Sequence, residues 1–429
     1  MKLWDKGYTT ENIVEQYTVG NDRFLDMKLA KYDVLGNIAH AKMLAEIGIL
    51  SSDELEAILG ALEQLLTEIK AGNFEIEEGF EDIHSKIEYE LVKRIGEAGN
   101  KIHTARSRND QVLVDLHLFL RDELIELKNK TYNLFSTFQN LSEQHKDVQL
   151  PGYTHLQIAM PSSFGLWFGG FAETLIDDVI LLNAAYDICN QNPLGSAAGY
   201  GTSFPIDRKL TTELLAFETM KINSIAAQMS RGKLEKSVAF ALSSLASTLS
   251  KFASDVCLFM SQNFQFLTFP KEFTTGSSIM PHKQNPDVFE LMRAKSNSIQ
   301  ALPNEIILLT NNLPSGYHRD FQLLKEKLFP AIDILKDNLT VCDFMLQHIV
   351  VNEQILNDTK YDHLFTVDSL NERVMKGMSF REAYRELGKE LEEGKYVPNK
   401  NIRHTHLGSK DNLGTDLIKE KMNKYFNKA

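Results

Sequence analysis

Proline is absent before Pro151 and again between Pro205 and Pro270. Proline breaks helix interiors, because it lacks the amide donor and its ring clashes with the preceding turn. Both stretches are therefore open to long helices, and the second shows the period of one. Leu242, Leu245, Leu249, Phe252, Val256 and Phe259 follow one another at alternating spacings of three and four. That is a heptad seam, apolar at the a and d positions. A similar helix is expected after Arg108, with Val112, Leu116 and Phe119 on one face. Others are expected from about Ser162 to Ile188 and from Pro286 through Leu302. One small domain cannot bury helices of this length, so they imply an all-α long-helix bundle, shared between subunits.

The rest of the chain reads as helix and loop. Residues 24–70 carry helical periodicity, broken near Gly48-Ile49-Leu50-Ser51-Ser52-Asp53-Glu54, where Ser52 is suited to cap the next helix. No alternating apolar run bounded by turns marks a strand. Residues 354–429 are polar and turn-rich. The expected organisation is an N-terminal helical domain (1–107), a central long-helix domain (108–353) and a small C-terminal helical domain (354–429).

A length of 429 residues accommodates two or three domains. The formal net charge of −12 disfavours non-specific contact with nucleic acid or anionic membrane. An anionic ligand would therefore need a locally positive pocket. Cys189, Cys257 and Cys342 lie far apart, without disulfide or zinc spacing, which fits a reducing cytoplasm. Met1-Lys2-Leu3-Trp4-Asp5-Lys6 has no apolar signal core. No apolar run of about 18 residues is present, so no membrane span is expected.

The segment densest in chemistry is Gly276-Ser277-Ser278-Ile279-Met280-Pro281-His282-Lys283-Gln284-Asn285-Pro286. Its plain reading is a flexible linker. Its richer reading is a binding loop at a helix start, with Asn285 as N-cap, Pro286 at the first helical position, and Asp287 and Glu290 in the first turn. Lys283 just outside that turn, together with free backbone N–H groups, would attract a carboxylate. Two further segments stand out. His103-Thr104-Ala105-Arg106-Ser107-Arg108-Asn109-Asp110-Gln111 packs arginines, hydroxyls and an amide into one turn; by itself it also fits a solvated basic helix start. Gly152-Tyr153-Thr154-His155-Leu156-Gln157 follows Pro151, and a lone loop histidine is commonly structural. His404 and His406 form an H-x-H with no obvious carboxylate partner and read as surface.

The loop at 276–286 resembles, without a mismatch, the signature G-S-S-x-M-P-x-K-x-N-P of the fumarase/aspartase superfamily, whose members are helical homotetramers that release fumarate. The resemblance implies that Ser277 is the general base and that Lys283 and Asn285 bind the succinyl carboxylates. The segment at 103–111 resembles the superfamily's first region, with Ser107, Arg108 and Asn109 contacting substrate. The segment at 152–157 resembles the second, with Thr154 and Gln157 at the substrate and His155 as a proton relay oriented by Glu290. Such active sites are shared between subunits and call for no metal or organic cofactor.

The argininosuccinate lyase/δ-crystallin family within the superfamily is the nearest in pattern. Leu313-Pro314-Ser315-Gly316-Tyr317-His318-Arg319-Asp320-Phe321-Gln322-Leu323-Leu324-Lys325 resembles its L-P-x-x-Y-x-x-D-x-Q-x-x-K. That resemblance brings Tyr317, Gln322 and Lys325 to the amino-acid end of the substrate. The plainer reading makes Lys325 an exposed helix lysine. The glycine-rich turn Pro193-Leu194-Gly195-Ser196-Ala197-Ala198-Gly199-Tyr200-Gly201 and the Asp26-to-Gly36 spacing are similar to that family too, and Asp26 joins the substrate-binding set. The implied activity is β-elimination of argininosuccinate to arginine and fumarate. Another fumarate-releasing lyase, such as adenylosuccinate lyase, is compatible with His282 but not with residues 313–325. A non-enzymatic crystallin-like role is at odds with an intact Ser277, His155 and Lys283. Three departures fall where the amino acid would sit. Asn37 stands in place of the usual serine, Asp22 lies near an expected serine, and Ser230-Arg231-Gly232-Lys233 replaces S-D-R-D. They leave open whether the substrate's α-amine is free or acylated.

Overall fold

The computed structural model describes residues 12–428. Among them are sixteen α-helices and three two-stranded sheets. Five helices are long: α1 (Arg108–Gln144), α2 (Phe164–Cys189), α3 (Ser230–Phe259), α4 (Asp287–Thr310) and α5 (Leu323–Leu346). The expected all-α architecture is therefore present. Every residue of the heptad seam on α3 is buried, from Leu242 to Phe259. α4 runs on through Pro303 to Thr310, past the end expected at Leu302, and α5 contains Pro330. Each proline forfeits one helical hydrogen bond. Ile299, Leu302 and Ile306 around the first, and Phe329 and Ile332 beside the second, are all buried and hold the helices together by packing.

The chain divides into two compact units. The first holds the described residues up to Leu127, with 181–244 and 298–335. In it Phe119 of α1 packs on Phe329 of α5, ring centroids 4.6 Å apart, and on Tyr32 at 5.8 Å. Tyr32 belongs to the helix Ala30–Glu46, which is followed by the helix Ser52–Lys70. The cap of the latter is Ser51, one residue before the expected Ser52, because Ser51 and Glu54 form a reciprocal capping box.

The second unit holds 128–180, 245–297 and 336 onward. Its core is aromatic. Phe252 of the seam lies 5.0 Å from Phe138, 5.1 Å from Phe171 and 5.4 Å from Trp167, between ring centroids. The Trp167 indole N–H donates to Asp255 at 3.0 Å, so the half-buried ring leaves no orphaned donor. Near the C-terminus, Leu370, Ala383 and Leu387 form a small core between the helices Thr366–Met375 and Phe380–Glu392. Here His404 does have a carboxylate partner, contrary to expectation: its Nε2 lies 2.9 Å from Asp368 Oδ1, a residue 36 positions away that spacing alone does not reveal.

The strand reading also needs correction. Gln149–Thr154 (β1) and Gln157–Ser163 (β2) pair as an antiparallel hairpin. Pro151 faces Pro161 across it, and the register shifts between Gly152 and Tyr153, so no clean alternation is visible in the sequence. The turn is His155-Leu156, with both residues at positive φ (54° and 58°). A two-residue hairpin turn of this hand normally takes Asn-Gly. Each side chain here adds strain of about 1–2 kcal/mol. Leu156 is 70% exposed and gains little packing in return. Leu156→Gly is therefore expected to raise stability by roughly 0.5–1 kcal/mol, read as a higher chemical-denaturation midpoint at unchanged slope. A loss of stability would show that the leucine side chain holds the turn.

Candidate active site

In the first unit the start of α1 is built by short-range bonds. Asp110 accepts from the Ser107 backbone N–H at 2.9 Å, and Ser107 Oγ accepts from Asn109 N–H at 3.2 Å. The other Asp110 oxygen accepts from the backbone N–H groups of Gly195 and Ala197, each at 2.9 Å. One carboxylate thus fastens the glycine-rich turn to the helix start. Gly195 has φ +87°, and a Cβ there would meet the Arg208 side chain at 2.8 Å, so the turn requires glycine.

The two arginines of this segment are partly buried and held by polar partners. Arg106 is hydrogen-bonded to Asn37 Oδ1, and Asn37 Nδ2 donates to Asp33 Oδ2 at 2.8 Å. The departure at Asn37 is therefore absorbed into a buried network. Asp33 also accepts from Gln111 at 2.7 Å and lies 2.7 Å from His84 Nδ1. Burial opposes the charges on Asp33 and His84, but their mutual attraction outweighs it: the carboxyl is held low and the imidazole is raised. Beside them burial, with the Asp33 charge, pushes the Asp115 carboxyl well up. Arg108 lies 3.1 Å from Glu81 and 3.0 Å from Asp82.

Arg108 and Asn109 line a cavity of about 220 Å³ with Asp26, Tyr317, Gln322 and Lys325. Six of the residues singled out from the sequence thus share one cavity, all within the first unit. Ser107 lies next to it in the chain but is not on its wall. Lys325 is only 5% exposed and lies between Asp26 (2.5 Å) and Asp22 (2.8 Å), which rules out the exposed helix lysine. Gln322 donates to the backbone carbonyls of Thr18 and Val19, at 3.1 and 3.3 Å.

Sequence reasoning left several wall residues out of the site. Asp22 and Arg231 were noted only as departures, and Glu81, Asp82, His84 and Arg319 were not singled out. The available signal was Glu81-Asp82 ahead of a helix, with Asp82 as its N-cap. Arg231 sits at a kink within α3 (ψ 130°), followed by Gly232 at φ +83°. The kink lets its guanidinium reach Glu235 (2.9 Å) and the Phe321 carbonyl (2.8 Å).

The second unit holds the remaining candidates. Thr275 and Asn285 close the base of the 276–284 loop by an antiparallel bridge, with Asn285 N–H on the Thr275 carbonyl at 2.8 Å. Asn285 does not cap α4. The helix begins one residue later than expected, at Asp287, and Pro286 O accepts from Glu290 N–H at 3.0 Å. The Asn285 amide instead donates back to Gly276 O at 3.3 Å. Within the loop Ser277 Oγ accepts from the backbone N–H groups of Met280 (3.1 Å) and Ile279 (3.4 Å). Two donors aimed at a hydroxyl oxygen favour its deprotonated form. Lys283 and Glu290 are exposed, as are Thr154, His155 and Gln157 around the hairpin tip. Among the described residues no hydrogen bond or ion pair joins His155 to Glu290.

A lyase family model matches residues 7–301. The argininosuccinate lyase of Parabacteroides distasonis is 55% identical over 417 residues, covering 97% of this chain and 94% of the relative. The chain belongs to the argininosuccinate lyase family. A more distant member of that family, from Thermotoga neapolitana, is 42% identical over 90% of this chain and 96% of its own. Among solved structures, an EDDS lyase in complex with formate is similar with a TM-score of 0.76 at 25% identity, covering 98% of this chain and 86% of that one. The class II fumarase of Schistosoma mansoni gives 0.74 at 16% identity, over 97% and 95%, a likeness of fold alone. No described helix is long and apolar enough to cross a membrane.

Proposed function

We propose that this chain is a carbon–nitrogen lyase that cleaves argininosuccinate to arginine and fumarate, in arginine biosynthesis. The observation that carries the reading is likeness over nearly the full length to relatives of that name, at 52–55% identity. In the proposed reaction Ser277 takes a proton from the succinyl carbon beside a carboxylate. The electron pair left there forms the double bond of fumarate as the C–N bond breaks. The leaving guanidino nitrogen collects a proton, relayed by His155 with Glu290 orienting it. Lys283 and Asn285 hold the carboxylate on which negative charge develops. A serine is a weak base unless its oxyanion is stabilised, and the Met280 and Ile279 N–H groups supply that stabilisation. Thr154, Gln157, Ser107, Arg108 and Asn109 position the succinyl half, while Asp26, Tyr317, Gln322 and Lys325 hold the amino acid. The working form is a cytoplasmic homotetramer whose sites are shared between subunits. Incubation with argininosuccinate should yield arginine and fumarate in equal amounts. Absence of both from folded protein would overturn the reading.

Lys325→Ala tests the amino-acid end. It removes the cation between two buried carboxylates and the partner for a substrate carboxylate. Truncating one member of a buried charge pair costs roughly 2–5 kcal/mol, so KM should rise at least about 30-fold while kcat falls far less. An unchanged KM would take Lys325 out of substrate binding.

A further inference from the structure

Asp115 on α1 has no place in the proposed reaction, yet it is wholly buried, at 0% exposure. Neither of its carboxylate oxygens meets a hydrogen-bond donor among the described residues. His84 Nδ1 stays 3.6 Å from Oδ2, out of hydrogen-bond reach. The group that Asp115 does meet is another acid. It faces Asp33 at hydrogen-bonding range, and an oxygen of each, with a ring nitrogen of His84, lie within 4.8 Å of one another. Gly36 permits this approach, because a Cβ there would meet Val114 at 3.2 Å and Asp115 Oδ1 at 3.6 Å. Ionised carboxylates only accept, so two of them in contact form a bond only when one carries a proton. An ionised carboxylate at this depth without donors is costly, and such a group takes up a proton instead.

We infer that Asp115 is a positioning residue that works as a neutral acid, sharing its proton with Asp33 in a hydrogen bond and so holding the Asp33–His84 pair against the cavity. The inference rests on the proposed lyase reading for what that pair does in turnover. Asp33 Oδ1 has His84 Nδ1 and the Gln111 amide at 2.7 Å each, and Oδ2 accepts from Asn37 at 2.8 Å. These take three of a carboxylate's roughly four acceptor sites, and the Asp115 proton fills the last. His84 lines the cavity, so a shift of the carboxylate that holds it is felt at the wall. The charged groups facing Asp115 are Asp33 from Ala30–Glu46, His84 from Ile83–Ile95, Arg106 from the turn before α1, and Asp26 from Asp22–Asp26. Burial, with Asp33 and Asp26, outweighs Arg106 and raises the Asp115 carboxyl well above its ordinary value. A divalent cation is a poor substitute for the proton, because donors already occupy most of Asp33 and the Arg106 charge repels it.

Asp115→Asn and Asp115→Ala test the inference by two readouts. Asparagine keeps a donor toward Asp33 and cannot ionise, whereas alanine keeps none. The first readout, the thermal midpoint from pH 5 to pH 8, needs no turnover. A carboxyl raised in the folded state contributes its full stability only below about pH 4, its unfolded value, and loses it as pH rises toward the folded value. Wild type should therefore lose stability relative to Asp115→Asn as pH rises from 5. A difference that stays constant to pH 8 means a carboxylate already ionised in the fold, and overturns the inference. The second readout is fumarate release at pH 7. Asp115→Ala should lower kcat roughly 10- to 100-fold through a misplaced pair, while the conservative Asp115→Asn stays within a few-fold of wild type. Asparagine as damaging as alanine overturns the positioning role, and so does near-normal turnover in both. Should alanine not fold, the asparagine variant alone decides by the same limits. A wild type that shows the pH-dependent difference but releases no fumarate would sink the lyase reading and leave the proton on Asp115 standing.

Discussion

Ser277→Ala should fold as the wild type does and release fumarate roughly 100- to 10,000-fold more slowly, the usual contribution of a positioned general base. The structural side of this expectation follows from the loop. Ser277 is half-buried on a segment whose base is held by the Thr275–Asn285 bridge, and its hydroxyl accepts only two backbone N–H bonds, from Met280 and Ile279. Both amides lie on an exposed loop where water can replace the lost acceptor, so stability should change by no more than about 1 kcal/mol. The chemical side follows from the same two bonds. In the proposed reaction they cradle the serine oxyanion, and alanine leaves the cradle empty. KM should change little, because Lys283 and Asn285, the proposed carboxylate ligands, remain. Unaltered circular dichroism with a collapsed kcat would establish the role. Near-normal turnover would remove Ser277 from it and shift attention to another base.

What could be read in the sequence depended on how local the governing physics was. The seam from Leu242 to Phe259 was legible because burial of a long helix imposes a period that survives without tertiary knowledge. Helix ends were less so. Asn285 looked like a cap, but it is drawn back across the loop by Thr275, a partner ten residues away. Pro303 looked like a terminator, but packing on either side outweighs one lost bond. The β1–β2 hairpin was hidden because its turn uses His155-Leu156 at positive φ in place of residues that adopt that conformation easily. The strain coincides with the histidine assigned to proton relay, and strained backbone of this kind concentrates at functional sites. Within the cavity the patterns at 26–36, 108–109 and 317–325 led to six wall residues. Asp22 enters only as a departure and Glu81 not at all, because an acidic side chain declares its purpose only when its cations are seen: Lys325 is 303 positions from Asp22, and Arg319 is 238 from Glu81.

Thr154, His155 and Gln157 are exposed at the hairpin tip, and within one chain His155 makes no bond to Glu290, its assigned partner. The proposed sharing of sites between subunits would account for that, because a second subunit's copy of the loop would supply what the chain's own does not. Take two inactive variants, His155→Ala and Ser277→Ala, and mix them by denaturing and refolding. A working site then draws its histidine from a Ser277→Ala chain and its serine from a His155→Ala chain. Random assembly in a symmetric tetramer meets each condition half the time, so about a quarter of the sites should be intact. Activity recovered toward about a quarter of wild type, from two nearly inactive parents, has no explanation if both residues come from one chain, since every such site then lacks one of them. If mass spectrometry confirms mixed tetramers and activity stays at the parental level, each site takes its serine and histidine from the same chain, and the exposed hairpin tip must reach its partners without help from another subunit.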